Sequence, residues 1–335
     1  MSRTYNVGVV GATGAVGQEV VRLLETRAFP IGELRLFASS RSAGKTLRFG
    51  GHELPLLPLT EEGMAGLDFV VFSAGAGRSR DFAPLAVKAG AVVIDNSSAY
   101  RMNPDVPLVV PEINPGDLAK HKGIVANPNC TAAILGTALW PLHQKAQITR
   151  IVVSTYQSAS GAGAQAMAEL EGQVKSYAAG AALEKSVFPH QIAFNVFSHN
   201  TPIGENGYNE EENKVREELR KMFHEPELPI CATCVRVPVL RAHSESVVIE
   251  TKKKLSPEEA REILSQAPGV RVVDNRDANH FPMPLEASGE LDILVGRIRE
   301  DLSHPHGLAL FISGDQLLKG AAWNAVQIAE TLAKG

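Results

Sequence analysis

The sequence predicts an α/β protein in two parts. The first is a doubly wound, mostly parallel domain, and the second is an α+β domain on a mixed sheet. Three observations predict this. Short apolar runs alternate with helical patterns from Asn6 onward. A glycine cluster, Gly11-Ala12-Thr13-Gly14-Ala15-Val16-Gly17, separates the first apolar run from the first amphipathic pattern. Beyond Ile148, further apolar runs with helices between them make up a second sheet.

The composition bounds the function. The chain has 335 residues, enough for two cores, with 44% apolar and 21% charged residues. A net charge of −4 gives no global basic field for nucleic acid or an anionic membrane. Three cysteines do not make a disulfide framework. Gly11 and Thr13 interrupt the apolar run after Val10, and no run reaches the ~20 apolar residues of a membrane span, so a cytoplasmic location is expected.

Asn6 to Val10 suits a buried parallel strand, and Val16, Val20, Leu23 and Leu24 share one face of the following helix. Gly11, Thr13, Gly14, Ala15 and Val16 therefore lie on a strand-to-helix turn, the context a dinucleotide pyrophosphate needs. The second strand, Leu34 to Ala38, ends in Ser39-Ser40-Arg41-Ser42 and not in the acid that usually holds a ribose 2′-hydroxyl. Hydroxyls and a guanidinium suit a 2′-phosphate, so NADP is expected over NAD; a solvated basic loop would leave that choice open. Strands are expected at Phe69–Ser73, Val92–Asp95, Leu108–Val110 and Ile124–Ala126, with a helix over Asp81–Ala89. Ser73, Ala74 and Gly75 lie at a strand end, where such sheets bind ligands. Arg101, just past another strand, either holds an anion or makes a local ion pair.

The stretch with most chemistry is GIVANPNCTAAIL, from Gly123 to Leu135. Asn127-Pro128-Asn129 ends a strand, and a helix follows from Thr131 to Leu142. Cys130 thus sits at a helix start, where free N–H groups and the dipole favour the thiolate. It is the candidate nucleophile toward an acyl or carbonyl carbon.

In the second half, Ile148–Thr155 reads as a strand, followed by the small-residue loop YQSASGAG and a helix from Gln165 to Ala178. Gln157 either orients a substrate or bonds the loop backbone. Glu210–Phe223 is a helix with an Asn209/Glu212 capping box. Glu211 leans toward its apolar face with Lys214 one turn on, although first-turn acids also simply complement the dipole. Cys231–Val239 reads as a strand in which Cys231 and Cys234 point to opposite faces, against a shared metal. His243, close after Arg236 and Arg241, is the candidate acid or base, with a loop histidine as the alternative. His304 and His306 lack further ligands for zinc, so no metal is expected. A helix starts at Ser256-Pro257; strands are expected at Val270–Val273, Leu291–Ile298 and Leu308–Ser313, and a last helix at Leu317–Ala333.

Six segments, in order and spacing, carry a resemblance: GATGAVG at Gly11, NPNCTA at Asn127, YQSASGAG at Tyr156, EENKV at Glu211, RVPVLRAHSES at Arg236, and ISGDQLLKGAAWNAVQIAE near the end. With these the chain resembles the aspartate-semialdehyde dehydrogenases over essentially its full length. The resemblance implies a dinucleotide domain of residues 1–127 plus 316–335 and a catalytic, dimerising domain of residues 128–315. It implies Cys130 as nucleophile, His243 as acid/base and Gln157 as the group orienting the acyl intermediate. Arg236 would bind the substrate α-carboxylate and Glu211 its amino group, while Arg101 and Lys214, with Asn129 beside them, would hold phosphate. Ser160 and Gly161 would line the nicotinamide side. Gln316 stands where many relatives have Asn, which leaves its cofactor contact open.

The implied reaction is NADPH-dependent conversion of aspartyl phosphate to aspartate semialdehyde and inorganic phosphate, in biosynthesis of lysine (through diaminopimelate), threonine, methionine and isoleucine. The implied assembly is a homodimer, with pairing into tetramers left open. N-acetyl-γ-glutamyl-phosphate reductase is the rival enzyme, but an acylated amine would not want Glu211. An NADP-binding regulatory protein would explain the glycine loop but not Cys130 with its basic neighbours.

Overall fold

A computed structural model describes residues 3–39, 42 and 44–334. The chain divides into two compact units, residues 1–129 with 321–335 and residues 130–320. Pro128, Asn129 and residues 316–320 thus fall on the other side of the division from the one read off the sequence.

The first unit is built on a seven-stranded sheet in the order β3-β4-β2-β1-β5-β6-β7. Its strands are β1 (Tyr5–Val10), β2 (Ile31–Ala38), β3 (Thr46–Phe49), β4 (His52–Pro58), β5 (Phe69–Phe72), β6 (Val92–Asp95) and β7 (Ile124–Ala126). Every pairing is parallel except β3 with β4. The order reverses around β1, as in doubly wound sheets that bind nucleotides at the strand ends. Helices α1 (Ala15–Thr26) and α2 (Ala76–Lys88) follow β1 and β5. Val9, Leu36, Val70 and Ile94 are fully buried between the layers.

Three expectations change here. The β3–β4 hairpin was not read from the sequence; Leu56 is its one buried residue, the others are exposed or half-buried, and Pro55 and Pro58 mask the strand pattern. Leu108–Val110 is not a strand: only Leu108 bridges to Ala126. Helix α2 starts at Ala76, because Gly75 takes a positive φ of 85° and lets the chain turn directly out of β5.

The final helix, α8 (Trp323–Lys334), belongs to the first unit. It follows a π-helical turn, Leu318–Ala322, where the sequence suggested regular helix from Leu317. Tyr5 Oη donates to Ala333 O at 2.9 Å, and Asn324 Nδ2 donates to Val109 O at 2.8 Å.

The second unit carries its own seven-stranded mixed sheet, in the order β12-β13-β14-β11-β8-β10-β9. The strands are β8 (Ile148–Gln157), β9 (Phe197–Ser198), β10 (Ile230–Arg236), β11 (His243–Thr251), β12 (Val270–Val272), β13 (Ile293–Glu300) and β14 (Gly307–Gly314). β10 ends at Arg236, ahead of Pro238, short of the expected Val239. Helices α3 (Cys130–Ala146), α5 (Glu210–Phe223) and α6 (Pro257–Ser265) pack against one another and against one face of the sheet. α3 is apolar nearly all round and correspondingly buried. α5 carries the Asn209/Glu212 capping box, and α6 a second box from Ser256 and Glu259. α4 (Ala164–Ala178) follows β8, and the short α7 (Pro284–Ala287) precedes β13.

Candidate active site

Sheet register gathers the polar residues of the second unit. Arg236 on β10 pairs with Gln157 on β8. Ser244 on β11 pairs with Tyr156, so His243 lies level with Gln157 from the other side. Arg236, Gln157 and His243 therefore form one row at one end of three adjacent strands. Cross-strand partners share a face, and this row faces the helix layer. The next row down, Cys234, Thr155 and Glu245, is buried on the same face.

Cys130 is the first residue of α3. Its Sγ lies 3.6 Å from Nε2 of His243. Close approach of the π-helical turn matters here: a Cβ at Gly320 would fall 2.7 Å from the Cys130 Cβ. His243 is wholly buried, and Nδ1 accepts from the backbone N–H of Ser158 at 3.0 Å. That bond leaves Nε2 as the protonated nitrogen of the neutral ring. Burial, reinforced by Arg236, pushes the His243 pKa down to about 3. The ring is therefore neutral at physiological pH and presents an N–H to sulfur.

Gln157 donates to Thr131 Oγ1 at 2.8 Å and to Glu211 Oε1 at 3.0 Å, while its own Oε1 is buried without a protein partner. Glu211 is buried on α5, with Lys214 Nζ 3.8 Å away; that ammonium lies closer to Glu210, at 2.8 Å. Arg236 donates from Nη1 to Ser158 O at 3.2 Å and from Nε to Asn200 Oδ1 at 3.3 Å. Its Nη2 face is not used by either bond. Gly161 backs onto this pair: a Cβ there would lie 3.1 Å from both Arg236 Nη1 and His243 Nε2.

The sequence reading missed His199, whose pKa is pushed down to about 4 by burial against the pull of Glu211, with Arg236 and Lys214 adding to the drop. It lies in a loop with no motif to mark it. Ser160 and Gln316 are buried and hydrogen-bonded to each other within this unit.

The first unit holds a separate cavity of about 260 Å³ at the ends of β1, β2 and β5. Gly11, Thr13, Gly14, Ser39, Ser73, Ala74 and Arg78 line it. Gly11 has φ +83°, and a Cβ there would meet Ser73 O at 2.4 Å; a Cβ at Gly17 would meet Gly11 O at 2.2 Å. α1 begins at Gly14 without a side-chain cap or a first-turn acid, so its N–H groups remain available to an anion. These residues fit a dinucleotide phosphate. Ala15 and Val16 open α1, Gly75 caps α2, and Ser42 is half-buried beyond the cavity lining. Ser40 and Arg41 lie outside the described residues. Arg78, absent from the sequence reading, is the cation among the described residues that line the cavity.

Arg101 is buried in the first unit and donates to Asn127 O at 2.9 Å and Asn96 O at 2.8 Å. Asn129 is buried immediately before Cys130. Among the described residues, no three His, Cys, Asp or Glu side chains are gathered to hold a metal ion. Among them, too, no helix is long and apolar enough to cross a membrane.

Residues 6–121 match the family model "Semialdehyde dehydrogenase, NAD binding domain", and residues 139–319 match "Semialdehyde dehydrogenase, dimerisation domain". The aspartate-semialdehyde dehydrogenase of Synechocystis sp. is 53% identical over 332 residues, spanning 99% of this chain and 98% of that one. The chain belongs to the aspartate-semialdehyde dehydrogenase family. A crystal structure of Vibrio cholerae aspartate semialdehyde dehydrogenase II complexed with ASA superimposes with a TM-score of 0.97 at 42% identity, covering 99% of both chains. The Candida albicans aspartate semialdehyde dehydrogenase with NADP gives 0.78 at 26% identity, again covering 99% of both. As an aspartate-semialdehyde dehydrogenase, the protein is an oxidoreductase of amino-acid biosynthesis with an NAD(P)-binding domain.

Proposed function

We propose that the chain catalyses the reversible, NADPH-dependent conversion of L-aspartyl 4-phosphate to L-aspartate 4-semialdehyde through a thioester on Cys130. The observation that carries this is Cys130 Sγ, at a helix start, 3.6 Å from a buried His243 Nε2. The Cys130 thiolate attacks the acyl carbon, a C–S bond forms, and the C–O bond to phosphate breaks. The helix start stabilises the oxyanion of that addition. Bound NADPH supplies the hydride that reduces the thioester carbon. The C–S bond then breaks, and the Nε2–H of His243 bonds the departing thiolate. Arg236 takes the substrate α-carboxylate, Glu211 takes the ammonium, and Gln157 orients the acyl group. Arg101 and Lys214 are each assigned to phosphate binding.

The pathways served are those to lysine, threonine, methionine and isoleucine. The protein is expected to act as a homodimer through the second unit, residues 130–320, with the first unit, 1–129 and 321–335, binding NADP. Support for the dimer comes from apolar surface on the second unit. Val152, Ser154, Tyr156, Val248 and Phe311 keep solvent access on the sheet face opposite the catalytic row. Tyr177 and Phe194, 63% and 62% exposed, pack with their ring centroids 4.6 Å apart and their planes tilted by 54°.

The test is NADP reduction with aspartate semialdehyde and phosphate, beside N-acetylglutamate semialdehyde. Activity with the second substrate alone would overturn the assignment. Cys130→Ser should abolish turnover and keep cofactor binding. Arg41→Ala and Arg78→Ala, read as the NADP-to-NAD ratio of kcat/KM, identify the 2′-phosphate cation; an unchanged ratio in both would remove the support for NADP.

A further inference from the structure

One buried side chain ties two parts of the first unit to the end of β6. Asp95 closes that strand and is fully buried. Its Oδ1 accepts from Ser79 Oγ at 2.7 Å and from the backbone N–H of Ser97 at 3.0 Å, and its Oδ2 accepts from Ser97 Oγ at 2.8 Å. Only an acid side chain accepts at both of its ends in this way. Ser79 lies in the first turn of α2, beside Arg78 of the cavity lining. Its hydroxyl also lies 3.3 Å from Gly75 O, where the chain turns out of β5. Ser97 begins the other arm. Its Oγ accepts from Ala99 N–H at 3.1 Å, which folds the stretch from Asn96 to Arg101 back on itself. Within that stretch Asn96 O takes Nη2 of Arg101 at 2.8 Å. Asn127 Nδ2 donates to Asn96 Oδ1 at 2.6 Å, and Asn127 O takes Nε of Arg101. Ser79, Ser97, Arg101 and Asn127 are all buried, so water does not compete for these links.

We propose that Asp95 is a positioning residue for two ligands at once, a role that rests on the assignment of NADP to the cavity and of phosphate to Arg101. Through Ser79 it seats the start of α2 against the cofactor. Through Ser97 it seats the loop that carries Arg101 against phosphate. The arms meet in one side chain, so each can be cut alone from its outer end. A longer link, Tyr100 Oη to Ser79 O at 3.4 Å, ends on backbone and survives substitution of either serine.

The experiment measures dissociation constants of the full-length protein for NADP by calorimetry and for inorganic phosphate by phosphorus NMR, with KM for aspartate semialdehyde alongside. Ser79→Ala should weaken NADP by about threefold to tenfold, the range of one lost hydrogen bond, and leave phosphate unchanged. Ser97→Ala should do the reverse. Asp95→Ala should weaken both, and adding Ser79→Ala to it should weaken NADP no further, because Ser79 acts through Asp95. KM for aspartate semialdehyde, whose assigned anchors Arg236 and Glu211 belong to the second unit, should change little throughout. Should Asp95→Ala fail to fold, the two serine variants decide alone. A wild type that binds both ligands, with variants that lose only thermal stability, overturns the proposal and leaves the ligand assignments standing. Equal weakening of both ligands by each serine variant also overturns it, since that is general loosening. The expected split in a protein inactive on aspartate semialdehyde would uphold the role of Asp95 and sink the substrate assignment alone.

Discussion

Gly320 stands against Cys130 so closely that a Cβ would fall 2.7 Å from the cysteine Cβ and 3.0 Å from its Cα. The nucleophile at the start of α3 is thus seated by a residue nearly two hundred positions later. Gly320→Ala has no flexible atom to displace, since both neighbours are anchored to backbone. It should cost about 1–3 kcal/mol in denaturant unfolding and lower kcat, because Cys130 must shift relative to His243. Wild-type stability together with wild-type kcat would show that the turn yields freely.

His243 gives a pH prediction. Cys130, Arg236, Glu211 and His199 surround it or act on its charge. Its folded pKa, about 3, lies below that of an unfolded histidine. In the interval between them, the unfolded chain binds a proton that the folded chain does not. Its stabilising contribution is complete above the unfolded value and is lost as pH falls toward about 3. His199 adds a second, smaller-shifted term of the same sign, down to about 4. Urea midpoints for wild type and His243→Asn should therefore converge as the medium is acidified; parallel curves would mean that His243 is not held neutral. Turnover of His243→Asn should fall by about 10²–10⁴.

Glu245 has the opposite sign. It is wholly buried beneath the catalytic row, both carboxylate oxygens lack a hydrogen-bond partner among the described residues, and burial holds its pKa well above the ordinary carboxylate range. A raised carboxyl pKa gives stability that is full below the unfolded value and lost as pH rises. Glu245→Leu removes the ionisable group and should stabilise the protein by about 1–4 kcal/mol at neutral pH, with a gain that shrinks in acid. A loss of stability at neutral pH would indicate an unseen polar partner, such as a buried water bridging to Thr155.

Arg236→Lys separates charge from fork geometry. Lysine keeps the positive charge but cannot hold Ser158 O, Asn200 and a carboxylate together. Losing a charge-assisted bond of about 1.5–3 kcal/mol corresponds to about 10–100-fold in kcat/KM for aspartate semialdehyde. An undiminished kcat/KM would place the α-carboxylate elsewhere.

Much of this protein was determined by local sequence. The glycine turn after β1, the helix beginning at Cys130 and the capping box of α5 all follow from neighbours within one turn of chain, where backbone geometry and capping decide the outcome. Alternation likewise separates exposed Cys231 from buried Cys234. The β3–β4 hairpin escaped because Leu56 alone of its residues is buried, which leaves no alternating apolar face to read. What only tertiary structure decided is which distant residues meet. Register between β10, β8 and β11 aligns Arg236, Gln157 and His243, and a one-residue slip would have turned any of them to the other face. The tautomer of His243 is set by Ser158 N–H, and the seat of Cys130 by Gly320. Hydrogen bonds and steric contacts between residues far apart in sequence leave no periodic trace in the chain, so these links became visible only in the folded unit.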